Sequence, residues 1–483
     1  MVKALAIDIG TSSVRTALVS LTGVVSHVHQ RNLTITSLAP GEVELDAAEI
    51  GRAVIELAGQ TLADGGPCDA VGVTNQRATT LLFDPVSGSP VGPTLGWQDL
   101  RTVLDCLVLQ SSGLRLAPNQ SATKAAWLSK AAGRDGADLR FATIETWVTW
   151  LLTQGHDHVT DRSNAAITGL VTTSVDHWDE STLELLGLPE SMMPRIVDTI
   201  GVHGVATALT GSPPITALVG DQSASMFGQS VVRTGAKITF GTGAMLNMAY
   251  DERTPVAMTP YDSGCFPIVA RSQDGVITWG LEGIVLAAGS AIDWLVDGIG
   301  ILDNAPASEA LARSIPSSEG VWFVPALVGL GTPHWDFGAR GGFFGLTRGT
   351  TRAHLVRATL EGIAHRAADL VDAAEHETAT RLRELRVDGG MSSNAFLVQC
   401  LADVTGRPVA VSPEREATTR GVGLMALVGA GRLSIDDVET LWQPVSTVEP
   451  TLDDSTRSAQ RDQWRTMVAR VERTIPELSA VAF

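Results

Sequence analysis

Two stretches decide the fold, ALAIDIGTSSVRTALVS at residues 4–20 and AKITFGTGAMLNMAY at residues 236–250. Each reads as an apolar β-rich run, a short turn built on Gly-Thr and a second apolar run, which is the pattern of a β-hairpin. Two hairpins of one design, so far apart in the chain, predict a duplicated α/β architecture. The expected boundary lies near Gln229, giving domains at residues 1–229 and 230–483 with no long linker between them.

The segments around the hairpins alternate in character. Ile50, Val54, Leu57, Ala58 and Leu62 recur at helical steps, so residues 46–63 predict an amphipathic helix with Asp46 as its N-cap. Strands follow at Ala70–Thr74 and Thr80–Phe83, helices at 124–130 and 144–153, and the apolar run ITALVG ends at Asp221, after which a helix is expected to Gly228. In the second half the pattern predicts helices over 352–375, 394–405 and 419–430, with strands LRVDGG and PVAVS between them.

Composition narrows the function. The chain has 483 residues, 44% hydrophobic and 18% charged, which places it among globular proteins and excludes disordered and collagen-like classes. Its 35 Lys and Arg stand against 53 Asp and Glu, a net charge of −18 that repels phosphate backbones and anionic lipid. Nucleic acid and membrane partners are therefore not expected, which leaves a small-molecule substrate and self-association. Cys68, Cys106, Cys265 and Cys400 form no CxxC pair, and the opening MVKALAIDIG lacks a signal-peptide core, so a cytoplasmic protein with reduced thiols is expected.

Several residues could carry chemistry. The turn Gly10-Thr11-Ser12-Ser13 offers backbone N–H groups and hydroxyls to phosphate oxygens, with Arg15 as a cation and Asp8 placed to hold Mg²⁺. Gly241-Thr242-Gly243 repeats the offer. Asp221 ends an apolar strand ahead of Gln222, where it is either a general base for an alcohol or a helix N-cap. Gly389-Gly390, Met391 and Asn394 in VDGGMSSNAF form either a nucleotide contact or a capped strand-to-helix turn. Arg77, Trp97, Gln98 and Asp99 suit one wall of a polyol site, although Arg77 and Asp99 could equally form an ordinary ion pair. His156 and His158 read as a polar turn rather than a metal pair, and no Walker-type loop or zinc spacing occurs.

In order and spacing, these motifs resemble the FGGY carbohydrate kinases over almost the full chain, and within that family the branch that phosphorylates glycerol. The resemblance is carried by AIDIGTSSVR, VTNQRATTLLFD, LGWQDLRT, VGDQSASMFGQ, ITFGTGAMLNM, WGLEGIVLAAGSAIDWL, VPALVGLGTPHWDFGARGGFFGLTRG and RVDGGMSSNAFLVQCLADVTGRPV. It implies a two-domain actin-like, ribonuclease H-like fold with an interdomain cleft, and phosphorylation of a primary hydroxyl of a polyol or sugar by ATP with Mg²⁺. It further implies that Asp8 holds the metal, Asp221 is the base, and Thr11, Ser12, Ser13, Arg15, Gly241 and Thr242 surround phosphate. Gly289, Asp293, Gly390, Met391 and Asn394 would border the nucleotide, Asp293 being of a different type from the family's usual residue. Arg77, Ala78, Trp97, Asn119, Asp221, Gln222 and Met245 would form the acceptor pocket.

Three of these depart from the glycerol branch. Ala78 stands where Glu is usual, Asn119 where Tyr is usual and Met245 where Phe is usual. Loss of a charged acceptor costs about 1.5–3 kcal/mol, so a larger polyol or ketose is the expected substrate, fitted into the room that Ala78 leaves. Xylulokinase-like or erythritol-kinase-like specificity is the nearest alternative. An actin-like ATP-binding sensor is the alternative from another class, and Asp221 with Trp97 argues against it.

Overall fold

The computed structural model describes residues 2–250, 255, 262–413 and 416–480. Its main sheet has 13 strands. The first half supplies β1 (Lys3–Ile9), β2 (Ser13–Ser20), β3 (Val25–Asn32), β4 (Ala70–Asn75), β5 (Ile200–Val205) and β6 (Pro214–Gly220). The second half supplies β7 (Gly235–Phe240), β8 (Ala244–Ala249), β9 (Phe266–Gln273), β10 (Val276–Val285), β11 (Leu385–Asp388), β12 (Val409–Val411) and β13 (Ser446–Val448). The order across the sheet is β13-β12-β11-β7-β8-β10-β9-β5-β6-β4-β1-β2-β3.

The duplication expected from the two hairpins is visible in the pairing. β1 runs antiparallel to β2 and parallel to β4, and β7 runs antiparallel to β8 and parallel to β11. Each turn is closed by the amide of its first glycine, Gly10 N donating to Ser13 O and, in a turn one residue shorter, Gly241 N to Gly243 O, each at 2.9 Å. The two copies join through a single bridged pair, Ile200 and Gln273. Beside it Thr199 N donates to Ser272 Oγ at 2.9 Å and Ser272 N to Thr199 Oγ1 at 2.7 Å, both buried.

Six helices position the site: α1 (Ala47–Gly65), α2 (Ala122–Ala132), α3 (Asp221–Gly228), α4 (Arg352–Thr378), α5 (Ala395–Thr405) and α6 (Ala417–Gly429). Asp46 caps α1 as expected, its Oδ1 accepting from Ala48 N at 2.8 Å. Because side chains alternate along a strand, β1 feeds two cores. Leu5, Ile7 and Ile9 pack with Ile50, Val54 and Leu57 of α1, while Ala4 and Ala6 pack with Val422 and Leu424 of α6. The second half is built likewise, with α4 buried along most of its length against Leu281 and Val285 of β10 and Leu397 and Leu401 of α5.

Small residues set how closely α6 lies on the sheet and on α3. A Cβ at Gly72 of β4 would meet the Val422 carbonyl, and one at Gly423 would overlap Val19 of β2. At the crossing of α3 and α6, a Cβ on Gly228 would sit on the Ala417 carbonyl and one on Gly421 on the Ala224 carbonyl. Backbone therefore touches backbone at this crossing. A smaller five-stranded sheet, Ile35–Thr36, Glu44–Leu45, Ser89–Leu95, Thr80–Asp84 and Arg140–Thr143 in that order, carries Trp97 just beyond one of its ends. Among the described residues no helix is long and apolar enough to cross a membrane.

His156 and His158 contact two different carbonyls, Thr153 O at 2.7 Å and Phe141 O at 2.8 Å, in a turn as expected. The Arg77–Asp99 ion pair, the alternative to a place in the polyol site, does not form. Asp99 is buried and pairs with Arg101 at 2.8 Å, because the 96–101 loop folds back on itself and on Val43, and Arg77 points instead toward the sheet.

The crossing yields a test. Gly421→Ala should lower stability by about 1–3 kcal/mol, the usual cost of overpacking, read as a lower urea midpoint. Gly59→Ala in α1, where nothing lies within 4 Å of the added carbon, should leave the midpoint unchanged or raise it.

Candidate active site

The ends of β1, β4, β6 and β7 converge, and the candidate site is assembled there. Asp8 near the end of β1 is half-buried, and its Oδ2 accepts from Thr419 Oγ1 of α6 at 2.9 Å. Desolvation pushes its carboxyl up to about 6, against the Thr419 hydroxyl and Arg15, with the charge of Asp221 adding to the rise. The next turn leaves Thr11, Ser12 and Ser13 at the surface of the cleft, and Thr11 Oγ1 accepts from Trp97 Nε1 at 3.2 Å. Arg15 turns away from that turn toward Gln30, at 2.9 Å, and Glu416.

Asp221 is the first residue of α3, with Gly220 in the cap position, so its carboxylate is not spent on capping the helix. Its Oδ1 accepts from Gln222 N at 2.8 Å and lies 3.5 Å from Arg77 Nε, and its side chain remains 30% exposed. Desolvation raises its pKa, Arg77 and the Gln222 N–H oppose that, and Glu282 adds to it. The second half enters here. Arg77 Nη2 donates to Glu282 Oε2 of β10 at 2.7 Å, and Asn247 Nδ2 of β8 donates to the same oxygen at 2.8 Å. Lys237 Nζ of β7 reaches back to Gln222 Oε1 at 3.2 Å while holding Thr239 Oγ1 at 2.8 Å. Asp221 and Gln222 thus stand between the two hairpins, linked to both by charge and hydrogen bonds.

Trp97 forms one wall, 38% exposed. The buried amine of Lys124 in α2 donates to Trp97 O at 3.2 Å and to Asn119 O at 3.3 Å, tying the two loops together. Asn119 itself is exposed, and Met245 on β8 is half-buried. Ala78 is only 2% exposed, with its carbonyl accepting from Thr80 Oγ1 at 3.0 Å. The room expected at Ala78 is therefore not open to solvent, and the residue sits in a turn with a φ of +61°. Gln98 is exposed, and Asp99 is committed to Arg101 as described above.

On the other side Gly241, Gly289 and Met391 meet. Gly289 N donates to Gly241 O at 2.9 Å and Ala288 N to Thr242 O at 2.9 Å, so the second hairpin turn is fastened to the helical turn that starts at Gly289. A Cβ on Gly289 would collide with the Gly241 carbonyl and approach Met391 Sδ. Gly390, Thr242 and Asp293 are exposed along this edge. Asn394 caps α5, accepting from Leu397 N at 3.0 Å and donating to Ser308 Oγ at 3.1 Å.

Sequence reading missed Glu282, Asn247, Lys237, Lys124 and Thr419. A signal was present for two of them, since Lys237 in AKITF and Glu282 in WGLEG each interrupt an apolar strand with a charge, and a charge there needs a partner. Thr419 carried no such mark. Among the described residues no group of three His, Cys, Asp or Glu could by itself hold a metal ion.

Comparison with known proteins fits this geometry. Residues 3–228 match the N-terminal domain and residues 236–430 the C-terminal domain of the FGGY family of carbohydrate kinases. The chain is 38% identical to glycerol kinase of Deinococcus radiodurans, covering 96% of this chain and 97% of that one. It is 39% identical to glycerol kinase of Aromatoleum aromaticum, over 96% and 98%. A crystal structure of Plasmodium falciparum glycerol kinase with ADP superposes with a TM-score of 0.91 at 26% identity over 98% of both chains. Xylulose kinase of Lactobacillus acidophilus shares the fold, with a TM-score of 0.88 at 19% identity over 99% of both. The chain belongs to the FGGY family of carbohydrate kinases, and it is a kinase with that family's two-domain actin-like fold.

Proposed function

We propose that the chain transfers the γ-phosphoryl group of ATP to a primary hydroxyl of a polyol or sugar held between residues 1–229 and 230–483. The observation that carries this reading is the setting of Asp221, a desolvated carboxylate with one face open to the cleft, standing between the two Gly-Thr turns. Arg77, Trp97 and Gln222 orient the acceptor, and Asp221 takes the hydroxyl proton as the new bond to phosphorus forms. Desolvation makes that carboxylate a stronger base, while Arg77 holds it in place.

The phosphates fit between Thr11, Ser12, Ser13 and Arg15 on one side and Gly241 and Thr242 on the other. The nucleotide extends along Gly289, Asp293, Gly390, Met391 and Asn394. Asp8 suits Mg²⁺, because it is a hard oxygen donor raised by desolvation and Arg15, its nearest cation, is engaged by Gln30 and Glu416. Mg²⁺ commonly binds through one or two carboxylates, water and substrate phosphates, and when bound it draws charge from the phosphoryl oxygens. The missing carboxylate at Ala78, with the departures at Asn119 and Met245, supports an acceptor other than glycerol, a polyol or ketose whose extra length is not housed beside the buried Ala78.

Lys124 is part of the acceptor wall through the two carbonyls it gathers. Burial lowers its pKa to about 7, with Asp99 opposing the shift. Above pH 7 desolvation therefore favours the uncharged amine, whose two N–H groups still serve the two carbonyls. Above pH 7 and below its unfolded pKa of about 10.4, the unfolded chain binds the extra proton, and stability rises with pH.

Two outcomes follow. Asp221→Asn should lower kcat by about 10²- to 10⁴-fold while calorimetry shows ATP binding unchanged; normal turnover in that variant would refute the base. From pH 7 to 9, the wild type should gain stability over Lys124→Met by up to about 1.4 kcal/mol per pH unit in urea unfolding, and a constant difference would show that Lys124 keeps its proton.

A further inference from the structure

We infer that Glu282 supplies, from the second half of the chain, the hydroxyl-accepting carboxylate that position 78 lacks, and that the acceptor is a neutral polyol or ketose rather than a sugar acid. This rests on the kinase reading and adds to it a binding residue and the exclusion of sugar acids.

The placement of Glu282 carries the inference. Its side chain is 4% exposed, and both anchoring bonds fall on one oxygen, Oε2, from Arg77 at 2.7 Å and from Asn247 at 2.8 Å. The other oxygen, Oε1, has no hydrogen-bond partner among the described residues and is not one of the sealed, unsatisfied polar atoms. A carboxylate fixed by one oxygen and open at the other is a preorganised acceptor for an O–H group. Its Arg77 partner also faces Asp221, so a molecule presenting one hydroxyl to Asp221 can present another to Glu282.

The strand register gives the same wall an apolar part. Asn247 pairs with Glu282, and Met245 pairs with Ile284 two residues along on the same face. Carbon and hydroxyl surfaces of one small molecule thus find separate partners side by side.

Charge sets the class. Two cations, Arg77 and Lys237, stand with two carboxylates, Asp221 and Glu282. Both cations are already engaged, Lys237 with Thr239 and Gln222 and Arg77 with the carboxylates. An acceptor carrying its own carboxylate would enter against Asp221 and Glu282, with Arg77 and Lys237, the cations described beside them, already engaged. A neutral acceptor avoids that repulsion.

The test uses the full-length protein with ATP and Mg²⁺. Glycerol, polyols and ketoses of four to six carbons and aldonic acids of matching length are assayed, followed by monodeoxy analogues of the best acceptor. The best acceptor should be neutral. Glu282→Gln should raise its KM by about ten- to a hundredfold, with the KM for ATP unchanged. The analogue lacking the contacted hydroxyl should be weak with the wild type and lose nothing further in the variant. Asn247→Leu, which keeps the carboxylate and removes its anchor, should reproduce that pattern more weakly and serves if Glu282→Gln does not fold. An equal loss for the parent and every deoxy analogue, an unchanged acceptor KM, or an aldonic acid as the best acceptor overturns the inference. A folded wild type that binds ATP and phosphorylates nothing in the panel would instead sink the kinase reading.

Discussion

The contact between α3 and α6, where the Gly228 and Gly421 backbones leave no room for a side chain, fixes the geometry on which the site depends. Asp221 begins α3, and Thr419 of α6 holds Asp8. The proposed base and the proposed metal ligand therefore hang from two helices locked at one point. Packing density gives this crossing its stiffness, since interiors that already touch cannot yield a few tenths of an ångström without moving both elements. The same helix α6 lies on Ala4 and Ala6 of β1 through a second set of small residues, so the strand carrying Asp8 is held from the same direction.

Around that frame, charge is gathered under low solvent access. Arg77, Asp221, Glu282 and Lys237 come from β4, β6, β10 and β7, or from just beyond their ends, and none is a local pair. Taking such groups out of water is costly unless each is answered, and here each answers at least one other. Asp8 and Asp221 both hold their protons more readily than ordinary carboxyls, while Lys124 and Lys237 release theirs more readily than ordinary amines. Water exclusion is the shared cause.

Much of this was legible in the sequence because it is local. The Gly-Thr turns, the cap at Asp46 and the apolar period of α1 depend on neighbours in the chain, and all appear where expected. Element ends moved by a few residues, as at Thr378, where α4 continues past Glu375 and ends ahead of Ala379, whose backbone is left-handed. What the sequence did not reveal is pairing across long separations. Nothing near Arg77 announces Glu282, and the pairing of Arg77 with Asp99 failed because a loop that folds on itself satisfies Asp99 first. Room at Ala78 was inferred from side-chain size alone, whereas the folded chain buries that residue.

The main sheet is continuous in hydrogen bonding, yet its two copies share only the Ile200–Gln273 bridge and the Thr199–Ser272 bonds beside it. That narrow seam is reinforced by α6, which belongs to the second half yet packs on α3 and on β1, β2 and β4 of the first, so the spine of this book is a helix as well as a bridge. Small rotations at the spine become large displacements at the open edge. Cross-cleft bonds such as that from Arg77 to Glu282 tie the two covers a second time.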